Sequence, residues 1–147
     1  MATYNKFQDA VEQLGKGVHQ LHAAGHTLKV YLSNAAPDAA LDAVKTDLAE
    51  ISAGFGYTAG GVDVQNDYTE STGTGTLTGV KVVITASGGS IGPFRYVVLY
   101  NDTPTSPADP LWAWWDYGAS GLTLADGESL SVKFNNSDTT GTICTIA

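Results

Sequence analysis

The chain opens with an apolar series at Phe7, Val11, Leu14, Val18 and Leu21. Steps of four, three, four and three lay one stripe along an α-helix. Thr3 stands where an N-cap would. Asp9 and Glu12 fall near the start, and Lys16, His19 and His22 near the end, which suits the helix dipole. The pattern predicts an amphipathic helix over Tyr4–His22, weakened at Gly15 and Gly17 and stopped by Gly25. Thr27–Ser33 alternates instead. Leu28, Val30 and Leu32 face one way and Lys29, Tyr31 and Ser33 the other, as in a half-buried strand. After a turn at Asn34–Asp38, Leu41, Val44, Leu48 and Ile51 return to helical spacing. They predict a second short helix near 39–50, with Leu48–Ile51 open to an extended path.

From Val62 onward the period is two. Val62–Tyr68 is a weak strand and Thr76–Ala86 a strong one, with Val80, Val82 and Ile84 on one face. Phe94–Asn101 is apolar on both faces, which predicts a central strand. Leu111–Tyr117 follows. Leu122–Leu124 and Ser129–Asn135 flank Asp126-Gly127, a hairpin signal. Thr142–Ile146 completes the set. The fold class expected is mainly β (α+β): a β-sandwich or jelly-roll-like domain led by the amphipathic helix and carrying the second short helix. One domain is expected over 1–147, with 1–26 as helix and connection and 27–147 as the sandwich.

Composition narrows the function classes. Charged residues are 15% of the chain, so Thr, Ser, Asn and Gly must supply much of the polar surface. The net charge is −8, the six lysines are scattered, and Arg95 is the lone arginine. No basic stripe exists to follow a phosphate backbone, and an acidic membrane surface would repel the chain. Neither a nucleic-acid nor a membrane partner is expected. Cys144 is the only cysteine, which excludes an intrachain disulfide. The first residues hold no apolar signal core, so the reading is a protein kept in a reducing cytoplasm. Asn101 and Asn135 head N-x-S/T triplets, read as chance matches without a secretion signal.

Candidate chemistry is sparse. His19, His22 and His26 have spacing that a zinc ion could use, but no nearby cysteine completes a set, and a polar helix end explains them. No nucleophile elbow, phosphate loop or calcium loop is present. Cys144 reads as a structural thiol. No catalytic, cofactor or metal residue is assigned, and an enzyme is not expected. The aromatic run Leu111–Tyr117 stands apart. Strand alternation sends Trp112 and Trp114 to one side and Trp115 to the other. An exposed tryptophan pair would make a protein interface or a sugar platform; the bland alternative packs both under the first helix. Phe7, Val11, Leu14, Trp112 and Trp114 are therefore the interface candidates.

The segments Tyr4–Asp9, Leu28–Pro37, Glu50–Gly61, Ile91–Asp102 and Trp115–Gly118 resemble, in the same order and across nearly the whole chain, a group of small virion structural proteins of tailed bacteriophages. The resemblance implies a capsid decoration (cement) protein on the outside of the head shell, or a tail, neck or fibre-associated component. It implies the major capsid protein, or tail and neck proteins, as partner. It also implies self-association, with a trimer as the form typical of the class, and a location on the virion after a stage in the host cytoplasm. It carries no catalytic motif and no cofactor. A carbohydrate-binding module using Trp112 and Trp114 is the alternative of another class.

Overall fold

The computed structural model describes residues 2–147. The chain is mainly β, with 44% of residues in strands and 7% in helix. In chain order the elements are β1 (Thr3–Lys6), α1 (Asp9–Gly15), β2 (Leu28–Ser33), β3 (Val62–Asp63), β4 (Asp67–Ser71), β5 (Thr74–Val80), β6 (Val82–Thr85), β7 (Ile91–Phe94), β8 (Tyr96–Asn101), β9 (Leu111–Asp116), β10 (Leu122–Leu124), β11 (Ser129–Val132) and β12 (Thr140–Ile146). Every strand pair is antiparallel. No helix among the described residues is long and apolar enough to cross a membrane.

The centre is a five-stranded sheet in the order β1-β9-β8-β2-β3. All six residues of β8 are buried, as its two-sided apolar pattern predicts. One face of this sheet carries Val30, Leu32, Val97, Leu99 and Trp115 against Leu77, Ile84, Phe94 and Val132 of the remaining strands and Phe134 of the turn after β11. Those strands form three smaller sheets, β12-β5-β4, β11-β6 and β10-β7. This layered packing is consistent with a β-sandwich-like fold.

The opposite face is also covered, by the segment 34–51. Tyr31, Val98, Tyr100, Leu111, Phe7 and Leu48 form a second apolar cluster there. The expected polar side of β2 is buried because it is bonded. Tyr31 Oη donates to the Leu48 carbonyl at 3.0 Å, and Ser33 Oγ donates to the Ala49 carbonyl at 2.7 Å.

Both expected helices are corrected. Residues 3–6 pair with β9 in place of starting a helix, and the Phe7 amide extends that ladder to the Trp112 carbonyl. The stripe is split: Phe7 enters the cluster beneath segment 34–51, and Leu21 enters the main core. Within this stretch Asp9–Gly15 alone is α-helical, and Gly17 then adopts φ +75°, a conformation that favours glycine. The second helix shrinks to a 3-10 turn at Lys45–Asp47. Aspartates compete for the backbone here. Asp38 accepts the amides of Ala40 and Leu41, and Asp47 those of Ala43 and Val44. Leu41, expected on the apolar stripe, is 77% exposed.

Two strand expectations change as well. Thr76–Ala86 breaks at Lys81, whose amide turns to the Thr139 carbonyl, so β5 and β6 join different sheets. The Asp126-Gly127 signal makes a turn but no hairpin. β10 pairs with β7 and β11 with β6. The turn is held by its neighbours: the Gly127 amide reaches the Ala86 carbonyl, and the Gly88 amide reaches Asp126.

Candidate docking face

β1, α1 and β12 meet at one corner. β1 is the outer strand of the central sheet and β12 the outer strand of its own. Between them lie an apolar cavity of about 240 Å³ and a more polar one of about 270 Å³. Tyr4, Cys144 and Thr145 belong to the walls of both. Val11, Leu14 and Ile146 form the mouth of the first, with Lys6 beside them. Val11 is 54% exposed, so this corner presents aliphatic surface to solvent.

Trp112 forms the floor, and its orientation departs from simple alternation. β9 pairs Ala113 with Leu99 and Leu111 with Tyr100, leaving Trp112 unpaired in a β-bulge. The extra residue puts Trp112 in the main core with Ala113 and Trp115, while Leu111 and Trp114 serve the other cluster. Trp112 is 2% exposed. Trp114 is half-buried on Phe7, with ring centroids 4.6 Å apart. Two interface candidates, Phe7 and Trp112, are thus corrected to core residues, and the expected tryptophan pair does not form a platform. Val11 and Leu14 do line the corner, whereas Trp114 is half-buried on the other face of the central sheet.

Polar groups under this corner lack partners. Among the described residues, the buried side-chain atoms without a hydrogen bond are Tyr4 Oη, Gln13 Oε1, His19 Nε2 and Trp112 Nε1. All four belong to β1, α1, the segment after it, or the Trp112 bulge. A buried group left unpaired costs about 1–3 kcal/mol. Their concentration in one place marks this region as the least satisfied part of the interior. Burial, with Cys144 nearby, pushes the Tyr4 hydroxyl far above its ordinary range. Burial also raises the Cys144 thiol, which disfavours the nucleophilic thiolate.

His19 stacks edge-on against Trp112, with centroids 5.0 Å apart. Its Nδ1 and that of His26 both lie by the amide nitrogen of Asn101, at 3.1 and 3.0 Å. One NH2 group has two protons to give, enough for a bond to each ring nitrogen. Burial first, then the neighbouring His26, lowers the His19 pKa to about 4. His22 is not part of this node. Among the described residues, no group of three or more His, Cys, Asp or Glu side chains is placed to hold a metal ion.

The carboxylates with short contacts are already committed. Glu50 accepts from Lys45 Nζ at 2.6 Å, Tyr57 Oη at 2.7 Å and the Gly60 amide at 2.7 Å. Asp116 takes both arms of Arg95, at 2.8 and 2.7 Å, and this pairing depresses its pKa. Such fixed groups hold loops and edges together. Another exposed apolar side chain, Phe55 at 56%, lies against Gly89 and lines a cleft of about 450 Å³. Gly54 and Gly56 on either side of Phe55 are the signal of this loop in the sequence.

No family model matches the chain, and neither a curated protein nor a solved structure matches it.

Proposed function

We propose that the chain is a structural component of a tailed-phage virion, used as a decoration protein on the outside of the head shell. The reading starts from the resemblance over Tyr4–Asp9, Leu28–Pro37, Glu50–Gly61, Ile91–Asp102 and Trp115–Gly118. The structural observation that supports it is the aliphatic corner of Val11, Leu14 and Ile146 over unpaired buried polar groups. A surface of that kind gains from being covered. Its partner in this reading is the major capsid protein, with self-association of the chain in a closed oligomer, a trimer in the resembling class. The role is one of binding and not of catalysis. A β-sandwich-like scaffold with jelly-roll character suits it, because rigid sheets present fixed edges to a neighbour.

The experiment is to remove the gene and challenge the particle. Particles lacking the chain are expected to release their genome at lower temperature or lower salt than complete ones. Equal resistance of the two particles overturns the decoration role. A tail, neck or fibre position is the second reading, and copy number separates it: hundreds per particle for the shell, at most a few dozen for the tail.

A further inference from the structure

Of the aromatic residues described, Phe55 alone is exposed. Its ring belongs to neither apolar cluster. It is nonetheless held in place. Gly54 and Tyr57 close the loop with reciprocal backbone bonds of 2.9 and 3.0 Å, and the Phe55 carbonyl accepts the Ser87 amide at 2.9 Å. One side of the ring lies against Gly89, where an added Cβ would sit 2.5 Å from a ring carbon. The backbone at Phe55 has φ +54°, between Gly54 at +133° and Gly56 at +97°. A bulky side chain takes that left-handed conformation only at a cost, and such strain gathers at binding sites. The fold thus fixes a strained residue whose ring adds nothing to its core.

The cleft that this ring lines, of about 450 Å³, has the size of a small-molecule site, for which about 300–1,000 Å³ is usual. Its walls mix two kinds of surface. Ile51, Ala53 and Pro93 are apolar; Asn34, Ser52 and Ser90 are exposed and carry groups that both donate and accept hydrogen bonds. No lysine or arginine lines it, and its one carboxylate, Glu50, is taken up by Lys45, Tyr57 and the Gly60 amide. An anionic ligand would find no cation here, on a chain of net charge −8. An extended peptide would find no regular strand edge. Beside the cleft, β7 carries Gly92 at φ +117° and Pro93, which has no N–H. A neutral sugar matches both kinds of wall, with its apolar C–H face and the hydroxyl groups around its ring.

We propose that the Phe55 cleft is a carbohydrate-binding site for neutral hexopyranose residues. The C–H face of one sugar ring stacks on the open face of Phe55, whose π-system carries negative charge there. The sugar hydroxyls exchange hydrogen bonds with Asn34, Ser52 and Ser90. Because the aromatic ring is already fixed, little freedom is lost when the sugar binds. The sugar platform expected at Trp112 and Trp114 does not form, and Phe55 supplies a one-ring platform elsewhere on the chain. The cleft shares no residue with the corner of β1, α1 and β12. The proposal therefore goes beyond the decoration reading and does not rest on it.

The test screens the full chain on an array of neutral and acidic glycans. The 15N-labelled chain is then titrated with the neutral glycans captured, and with lactose, maltotriose and cellotriose at millimolar concentration. The expected result is capture of neutral glycans alone, with amide shifts confined to residues 34–35, 49–56 and 89–93. Saturation should pass from the Phe55 ring to sugar C–H protons. Phe55→Gly removes the ring and relieves the strain together. It is expected to lose about tenfold or more in affinity while its melting temperature does not fall. A ring with only a structural role gives the reverse, a lower melting temperature and unchanged affinity. Ser90→Ala, on the exposed rim, is expected to weaken binding severalfold and carries the comparison if the glycine variant unfolds. The proposal is overturned if no neutral glycan binds in either assay, if acidic glycans are preferred, or if the shifts fall elsewhere. Unchanged affinity in folded Phe55→Gly or Ser90→Ala overturns it too. So does concentration-dependent protection of the same amides without sugar, which would make a second copy of the chain the occupant.

Discussion

Trp112 and Trp114 stand two positions apart on β9, yet they serve opposite faces of the central sheet. The bulge at Trp112 is the cause. Trp112→Ala is expected to cost about 3–5 kcal/mol, because it empties a site in the main core. Trp114→Ala, at a half-buried position, is expected to cost about half of that. Denaturant unfolding of the two variants checks the order. Equal costs would contradict the placement.

Acid should destabilise the protein through His19. Its folded-state pKa is about 4, below the ordinary 6.5. The unfolded chain therefore binds the proton more tightly between these values. The contribution is complete above about pH 6.5 and is lost as pH falls towards 4. The span corresponds to about 3 kcal/mol. Asp116, held low by Arg95, loses its contribution further down the scale, so the two windows separate. Melting temperature followed from pH 7 to pH 4 should fall, and His19→Gln should flatten that slope.

Asn101 links the segment after α1 to the end of β8. Removing its amide strips both imidazoles of their donor and the Thr103 amide of its acceptor. Asn101→Ala is expected to cost about 1–3 kcal/mol for each buried group left unpaired. Hydrogen exchange should then quicken around residues 19–27 before it quickens in β8. Uniform quickening would contradict this node as a local clasp.

Gly61 is irreplaceable on geometric grounds. It has φ +78°, and an added Cβ would run into the Val30 carbonyl, where β2 meets the turn into β3. The backbone conformation alone costs another residue about 1–3 kcal/mol. Gly61→Ala is expected to lose more than that in thermal unfolding. Gly73→Ala, with positive φ but open space around it, should lose only the conformational part.

What the sequence made legible follows from local physics. β2, β8 and β9 were readable because each is a short run of apolar and β-favouring residues bounded by turn signals, and Val97, Val98 and Leu99 leave β8 no polar side, as a strand packed on both faces requires. The first helix was over-read because a stripe of period 3.6 is also satisfied by residues that part company. Phe7 and Leu21 end in different clusters. The second was over-read because Asp38 and Asp47 capture amides that a helix would need. The bulge at Trp112 left no trace, since both neighbours are apolar. Nor could the Asn101–His19 contact be read, because the two residues are 82 positions apart. The exposed aliphatic corner was half legible: Val11 and Leu14 were singled out, but on a longer helix and beside partners now in the core.

The proposed decoration role is tested most directly by an electron cryo-microscopy map of tailed-phage particles assembled in the presence of this chain. The expected result is hundreds of copies on the outer head surface, each with the corner of Val11, Leu14 and Ile146 covered by a neighbouring subunit. Particles without the chain on shell or tail, or copies bound with that corner facing solvent, would contradict it.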